Sequence, residues 1–137
     1  MKQLAAALMA STTCLAACGV GDQLKHAWVF NVQDLQHKPV ASLKVRFTDQ
    51  IAPSCRGGTW KRVIVESFVP AENAVFPGAD ALSYRLEGQT LTIGRNEICD
   101  AYIGLTGQLI GDHMTGDYYS LGEAGTSPLG YAEGKAE

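Results

Sequence analysis

Hydrophobic residues recur at every second position through most of this chain, and that spacing restricts what it can build. In "HAWVFNV", Trp28, Phe30 and Val32 alternate with Val29 and Asn31; in "SLKVRFTD", Leu43, Val45 and Phe47 alternate with Lys44, Arg46 and Thr48. Successive side chains of a strand point to opposite faces, so both segments read as half-buried strands. "WKRVIVESFV" is β-branched and apolar on both faces toward its end, the pattern of a central strand. "ALSYRLEGQTLTIGR" reads as a hairpin. Leu82, Tyr84 and Leu86 share one face, Glu87-Gly88-Gln89 turn, and Leu91 and Ile93 return.

Further along, "AYIGLTGQLIGDHMTGDYYSLG" sets glycines 104, 107, 111, 116 and 122 among β-formers, where bulges, tight turns and sharply curved strands are expected. "LGYAEGKA" supplies a last strand. "NVQDLQHKPV" has room for one helical turn before Pro39, but no stretch joins a cap to ten or more residues of helical periodicity. Eight or nine short strands with turn signals about every 8–12 residues predict an all-β fold. Short turns between consecutive strands predict a small antiparallel barrel in meander order, with a sandwich as second choice. Thr115-Gly116-Asp117-Tyr118 resembles a strand of avidin- or lipocalin-type barrels, a likeness of four residues that favours the barrel.

The N-terminus has a different character. Met1-Lys2-Gln3 is followed by "LAAALMASTTCL", an uncharged run, and then by Ala16-Ala17-Cys18-Gly19. A basic start, a short apolar run and small residues are the layout of a secretory signal, and the run is shorter than the roughly 20 residues a membrane-spanning helix needs. Leu15-Ala16-Ala17-Cys18 resembles the lipobox of bacterial lipoproteins, in which a signal peptidase cuts before the cysteine. The resemblance implies a diacylglycerol on the Cys18 sulfur, an acylated amino group in many hosts, and attachment to the membrane through those chains. In that family an aspartate after the cysteine retains the protein in the inner membrane. Gly19 stands there instead, which implies an outer-membrane anchor on its periplasmic or surface face. More than one acyl chain is physically reasonable, because a single chain anchors only marginally. On this reading residues 1–17 are signal, 18–23 a lipidated tether and 24–137 one β domain, large enough for its own core.

Of the four cysteines, Cys14 would leave with the signal and Cys18 would carry lipid, so Cys55 and Cys99 remain. In an oxidising compartment such a pair reads as a disulfide. The formal net charge is −3, one unit more negative without Lys2, with no basic stripe. Nucleic acid is therefore not an expected partner.

Candidates for chemistry are sparse. His26, His37 and His113 show no metal-ligand spacing, and neither a Gly-x-Ser-x-Gly elbow nor a phosphate-cradling loop occurs. Asp112 and Asp117, and Glu97 and Asp100, read as turn residues accepting local hydrogen bonds. No cofactor-binding pattern is present. "CRGGTW" reads as a turn in which Gly57-Gly58 permits positive φ, and Arg56 there has the chemistry to clamp an anion. "GEAGTSPLG" reads as a hairpin connection. "VPAENAVFPGAD", longer than a usual hairpin loop, reads either as a lid that brings Phe76 to a binding site or as a plug for one barrel end. Phe76, Trp28 and Trp60 are the candidate ligand contacts, set against a plainer role for all three in packing. The expected function is a non-enzymatic binding module of the envelope, taking a small apolar ligand or an envelope protein. The alternatives are an inhibitor or immunity-type lipoprotein acting through a protruding loop, and a small envelope enzyme.

Overall fold

The computed structural model describes residues 20–72, 76–100 and 102–137. Eight antiparallel strands follow one short helical turn, α1 (Val20–Gln23): β1 (Ala27–Asp34), β2 (Pro39–Ala52), β3 (Trp60–Pro70), β4 (Ser83–Glu87), β5 (Thr90–Gly94), β6 (Tyr102–Ile110), β7 (His113–Gly122) and β8 (Gly125–Ala136). Each pairs with its neighbour in sequence, and β1 closes the ring on β8 from Trp28↔Ala136 to Asp34↔Gly130. The meander barrel expected from the period-two pattern is present, with eight strands. The proposed lipid site, Cys18, and the signal segment lie outside the described residues.

The alternation in the sequence becomes inside and outside. Trp28, Phe30 and Val32 of β1 and Leu43, Val45 and Phe47 of β2 point inward and are buried, together with Leu91, Ile93, Leu105, Leu109, Met114 and Ala132. They form one continuous cluster that occupies the interior. Burying each large aliphatic or aromatic side chain contributes about 1.5–3 kcal/mol, so the ring is held by what fills it as much as by its ladders. Rings touch along it: Trp28 stacks on Phe30 at 5.9 Å, and Phe47 meets Tyr84 edge-on at 4.8 Å. Burial pushes the Tyr84 phenol up in pKa, with the Lys61 ammonium acting the other way, and Tyr84 donates its proton to the Thr48 carbonyl at 2.9 Å.

β3 is not a central strand covered on both faces, because a closed barrel has none. Ile64 and Val69, on its outer face, are 49% and 65% exposed. The bulge-like register shifts also fall elsewhere than at the glycines of β6: they lie at Val32/Gln33, Lys44/Val45, Phe47/Ile51 and Tyr118/Tyr119. "NVQDLQHKPV" holds no helical turn. β1 runs to Asp34, whose carboxylate accepts from the backbone N–H of Gln36 (2.8 Å) and Lys38 (2.9 Å), an Asx-type turn with His37 at φ 59°. "GEAGTSPLG" is mostly strand, since β8 begins at Gly125.

The seam between β3 and β4 is the thinnest, with Lys61↔Tyr84 and Arg62↔Ser83 as its registered pairs. Residues 76–82 lead into it. The Val63 N–H donates to the Leu82 carbonyl at 3.0 Å, and Phe76 turns inward onto Phe68 (6.3 Å) and Tyr118 (5.7 Å). α1 and Leu24 sit at the other end, where the Trp28 indole N–H donates to the Gln23 carbonyl at 3.0 Å.

Phe30→Ala is expected to lower unfolding free energy by about 3–5 kcal/mol in a denaturant titration, since its ring, 1% exposed, leaves a cavity. Ile110→Ala, at a residue 71% exposed beside the β6–β7 turn, is expected to stay within about 0.5 kcal/mol. Equal effects of the two would contradict a core inside the ring.

Candidate functional site

The three candidate ligand contacts do not come together. Trp28 and Phe76 belong to the packed interior, at 0% and 6% exposure. Trp60, also buried, lies outside that cluster: it pairs with Ala52 on the face opposite Lys61 and packs against the outer wall of the barrel. There it anchors a second, polar assembly that the sequence does not announce.

The assembly is built by two connections folding over the outer face of β4, β5 and β6. The β2–β3 connection (53–59) and the 95–100 stretch that follows β5 are joined by the Cys55–Cys99 disulfide, with Cα atoms 5.4 Å apart. Both cysteines are exposed. The Cys55 N–H donates to the Asn96 carbonyl at 2.9 Å, and buried Asn96 donates its amide to the Ser83 hydroxyl at 2.8 Å and to the Gly94 carbonyl at 3.2 Å. Arg62 and Glu97 form an ion pair at 2.5 Å beside them. Buried polar groups satisfied in this way hold a loop in one geometry.

Within that frame two guanidinium groups lie over the Trp60 indole. The Arg56 Cζ lies 5.0 Å from the ring centroid and the Arg85 Cζ 4.9 Å, while Arg56 also faces Tyr102 at 5.6 Å. Each such contact contributes about 0.5–1 kcal/mol at a partly exposed site. The Gly57 carbonyl accepts from the Trp60 indole N–H (3.1 Å) and from Arg85 (3.2 Å), and Gly58 takes φ +89° to complete the turn, as expected of "CRGGTW". Arg56 extends beyond the ring to donate to the Tyr119 hydroxyl at 3.1 Å. That phenol lies across Gly104, where a Cβ would come within 3.2 Å of its oxygen and 2.5 Å of the Ile93 carbonyl, so no larger residue fits beneath it.

Beyond Tyr119 the outer wall carries a groove of about 340 Å³. Thr92, Thr106 and Asp117 are cross-strand neighbours on β5, β6 and β7, and all line it, as do Arg56, Tyr119 and Thr126. The Thr92 and Thr106 hydroxyls share a hydrogen bond of 3.1 Å. Asp117 is not a turn residue but sits within β7, facing out. Among the described residues Arg56 has no carboxylate partner and Asp117 no cationic one. A wider hollow of about 830 Å³, where β7, β8 and β1 meet, is lined by His113, Glu133 and Lys135 among others, all of them exposed. Long solvated side chains there lack the fixed geometry that the arginine stack has.

The histidines remain apart from this assembly: His37 stacks on Tyr131 at 4.6 Å, and His113 bonds Asp112 at 2.6 Å, which holds the Asp112 carboxyl below the usual range. No group of three or more His, Cys, Asp or Glu positioned to hold a metal ion occurs among the described residues. Arg56 stood out in the sequence only as a residue with the chemistry to clamp an anion. Arg85, Thr92, Thr106 and Thr126 did not, because outward threonines in strands carry no signal until register sets them side by side.

Comparison with protein-family models, with curated proteins and with solved structures finds no match for this chain.

Replacing both Cys55 and Cys99 by serine is expected to cost up to about 4 kcal/mol of stability, from the loop length in the chain-entropy picture. The Trp60 indole N–H resonance is expected to move, while that of Trp28, inside the ring, keeps its position. Equal movement of both would contradict a separate assembly on the outer wall.

Proposed function

We propose that this chain is an exported, lipid-anchored, non-enzymatic binding module of the cell envelope that works through the outer wall of its barrel. The observation that carries the binding part is the contrast between interior and exterior. Inside, the described side chains pack on one another in a single apolar cluster. Outside, Arg56 and Asp117 face one groove with uncompensated charges, and stacking and a disulfide hold Arg56 in place. Binding energy is best retained where the groups are ordered beforehand, which favours this groove over an apolar ligand in the lumen.

The anchor rests on Leu15-Ala16-Ala17-Cys18 after an apolar run, and the Cys55–Cys99 bridge is what an oxidising compartment favours. A loop-borne inhibitor finds no support at Phe76, Pro77 and Gly78, which are tucked in; what favours it is the 122–128 stretch, which is exposed throughout.

Metabolic labelling with a fatty acid in the native host tests the anchor. The wild-type chain is expected to take up label and to begin at Cys18, and Cys18→Ser to remain unlabelled and leave the membrane fraction. An unlabelled wild-type product with Met1 intact would overturn the anchor and the export reading together.

A further inference from the structure

We propose that the groove beside Arg56 binds a small hydroxylated monocarboxylate of the sugar-acid class, its carboxylate on Arg56 and its hydroxyls on the Thr92–Thr106–Asp117 row. This rests on the outer-wall reading above and names the ligand class for it.

The argument starts from Arg56. One Nη donates to the Tyr119 hydroxyl, and the rest of the guanidinium fork has no partner among the described residues. A guanidinium presents five N–H donors in a plane matched to carboxylate geometry, so the remaining donors suit an oxyanion. Contacts with the Trp60 and Tyr102 rings, together with the hydrogen bond to Tyr119, hold the group before any ligand arrives. Adjacent strands lie about 4.8 Å apart, so the Thr92–Thr106–Asp117 row extends roughly 10 Å across three strands. Tyr119 stands two residues along β7 from Asp117 on the same face, a displacement of roughly 7 Å. The anion-binding end and the hydroxyl-binding row thus line one groove, which a ligand carrying a carboxylate and hydroxyls in one small molecule engages at both.

The row has the right chemistry for hydroxyls. Two threonine hydroxyls bonded to each other retain lone pairs and one free proton, and the Asp117 carboxylate accepts from O–H donors. The same carboxylate disfavours a dianion, because a second negative charge in the groove is opposed by only one arginine. Phosphate esters are therefore a poorer fit than a single carboxylate. The volume, about 340 Å³, lies at the small end of ligand sites and suits one ring.

The test uses the whole chain purified from its host in detergent, titrated by calorimetry and by amide NMR with glucuronate, glucose, alanine and inorganic phosphate. Glucuronate is expected to shift the amides of Thr92, Thr106, Asp117 and Tyr119, and to bind roughly tenfold or more tightly than glucose, the worth of one charge-assisted hydrogen bond. Arg56→Lys, which keeps the charge and much of the packing but loses the fork, is expected to remove that preference. Thr106→Val, on the solvent-facing wall, is expected to weaken glucuronate while leaving the Trp60 indole resonance in place. Glucose bound as tightly as glucuronate, or alanine or phosphate bound more tightly, would overturn the ligand class while leaving a binding groove. No amide shift with any of the four would overturn the class and the use of this groove, with the anchor still judged separately by its label.

Discussion

A ring of eight strands encloses an interior just wide enough to be filled by side chains or to hold one small ligand. In this protein that interior is filled by a graded set: large rings from β1 and β2, aliphatic residues from β5 and β6, and Ala132 from β8. The pairing of β1 with β8 closes the ring, so neither the first nor the last strand is left as an edge. Everything else follows from an interior that is spoken for. Polar and charged groups have nowhere to gather except outside, and loops that would rim an open cup instead fold over a wall or plug an end.

That division accounts for two uses of aromatic residues. Trp28, Phe47, Tyr84 and Tyr118 serve the ring from within, where area removed from water sets their value. Trp60, Tyr102 and Tyr119 serve a different purpose on the wall, where the first two rings hold arginines in place and the Tyr119 hydroxyl accepts a hydrogen bond from Arg56. The disulfide belongs to the second group. It staples two surface connections and so fixes the residue next to Cys55, which is Arg56.

The sequence carried the barrel well, because inward and outward residues alternate and burial in β1 and β2 follows the alternation position by position. It carried β3 poorly. Ile64 and Val69 are apolar yet face solvent, and no local pattern separates that case from a strand covered on both sides. Glycine was a guide to turns rather than to bulges: Gly111 takes φ 62° between β6 and β7, while the register shifts at Val32/Gln33 and Tyr118/Tyr119 fall where Gln33 pairs with Pro39 and Tyr119 with Pro128. The outer groove was legible only in Arg56. Thr92, Thr106 and Asp117 lie far apart in sequence, and only the registered pairing of β5, β6 and β7 makes them neighbours.

The most direct measurement of this account is the set of nuclear Overhauser contacts between backbone protons of β1 and β8 in the folded protein. Closure around a filled interior predicts an unbroken antiparallel series joining Trp28–Asp34 to Gly130–Ala136, with side-chain contacts from Val32 to Ala132. An open sheet or a two-layer sandwich, with β1 and β8 showing no such series, would contradict it.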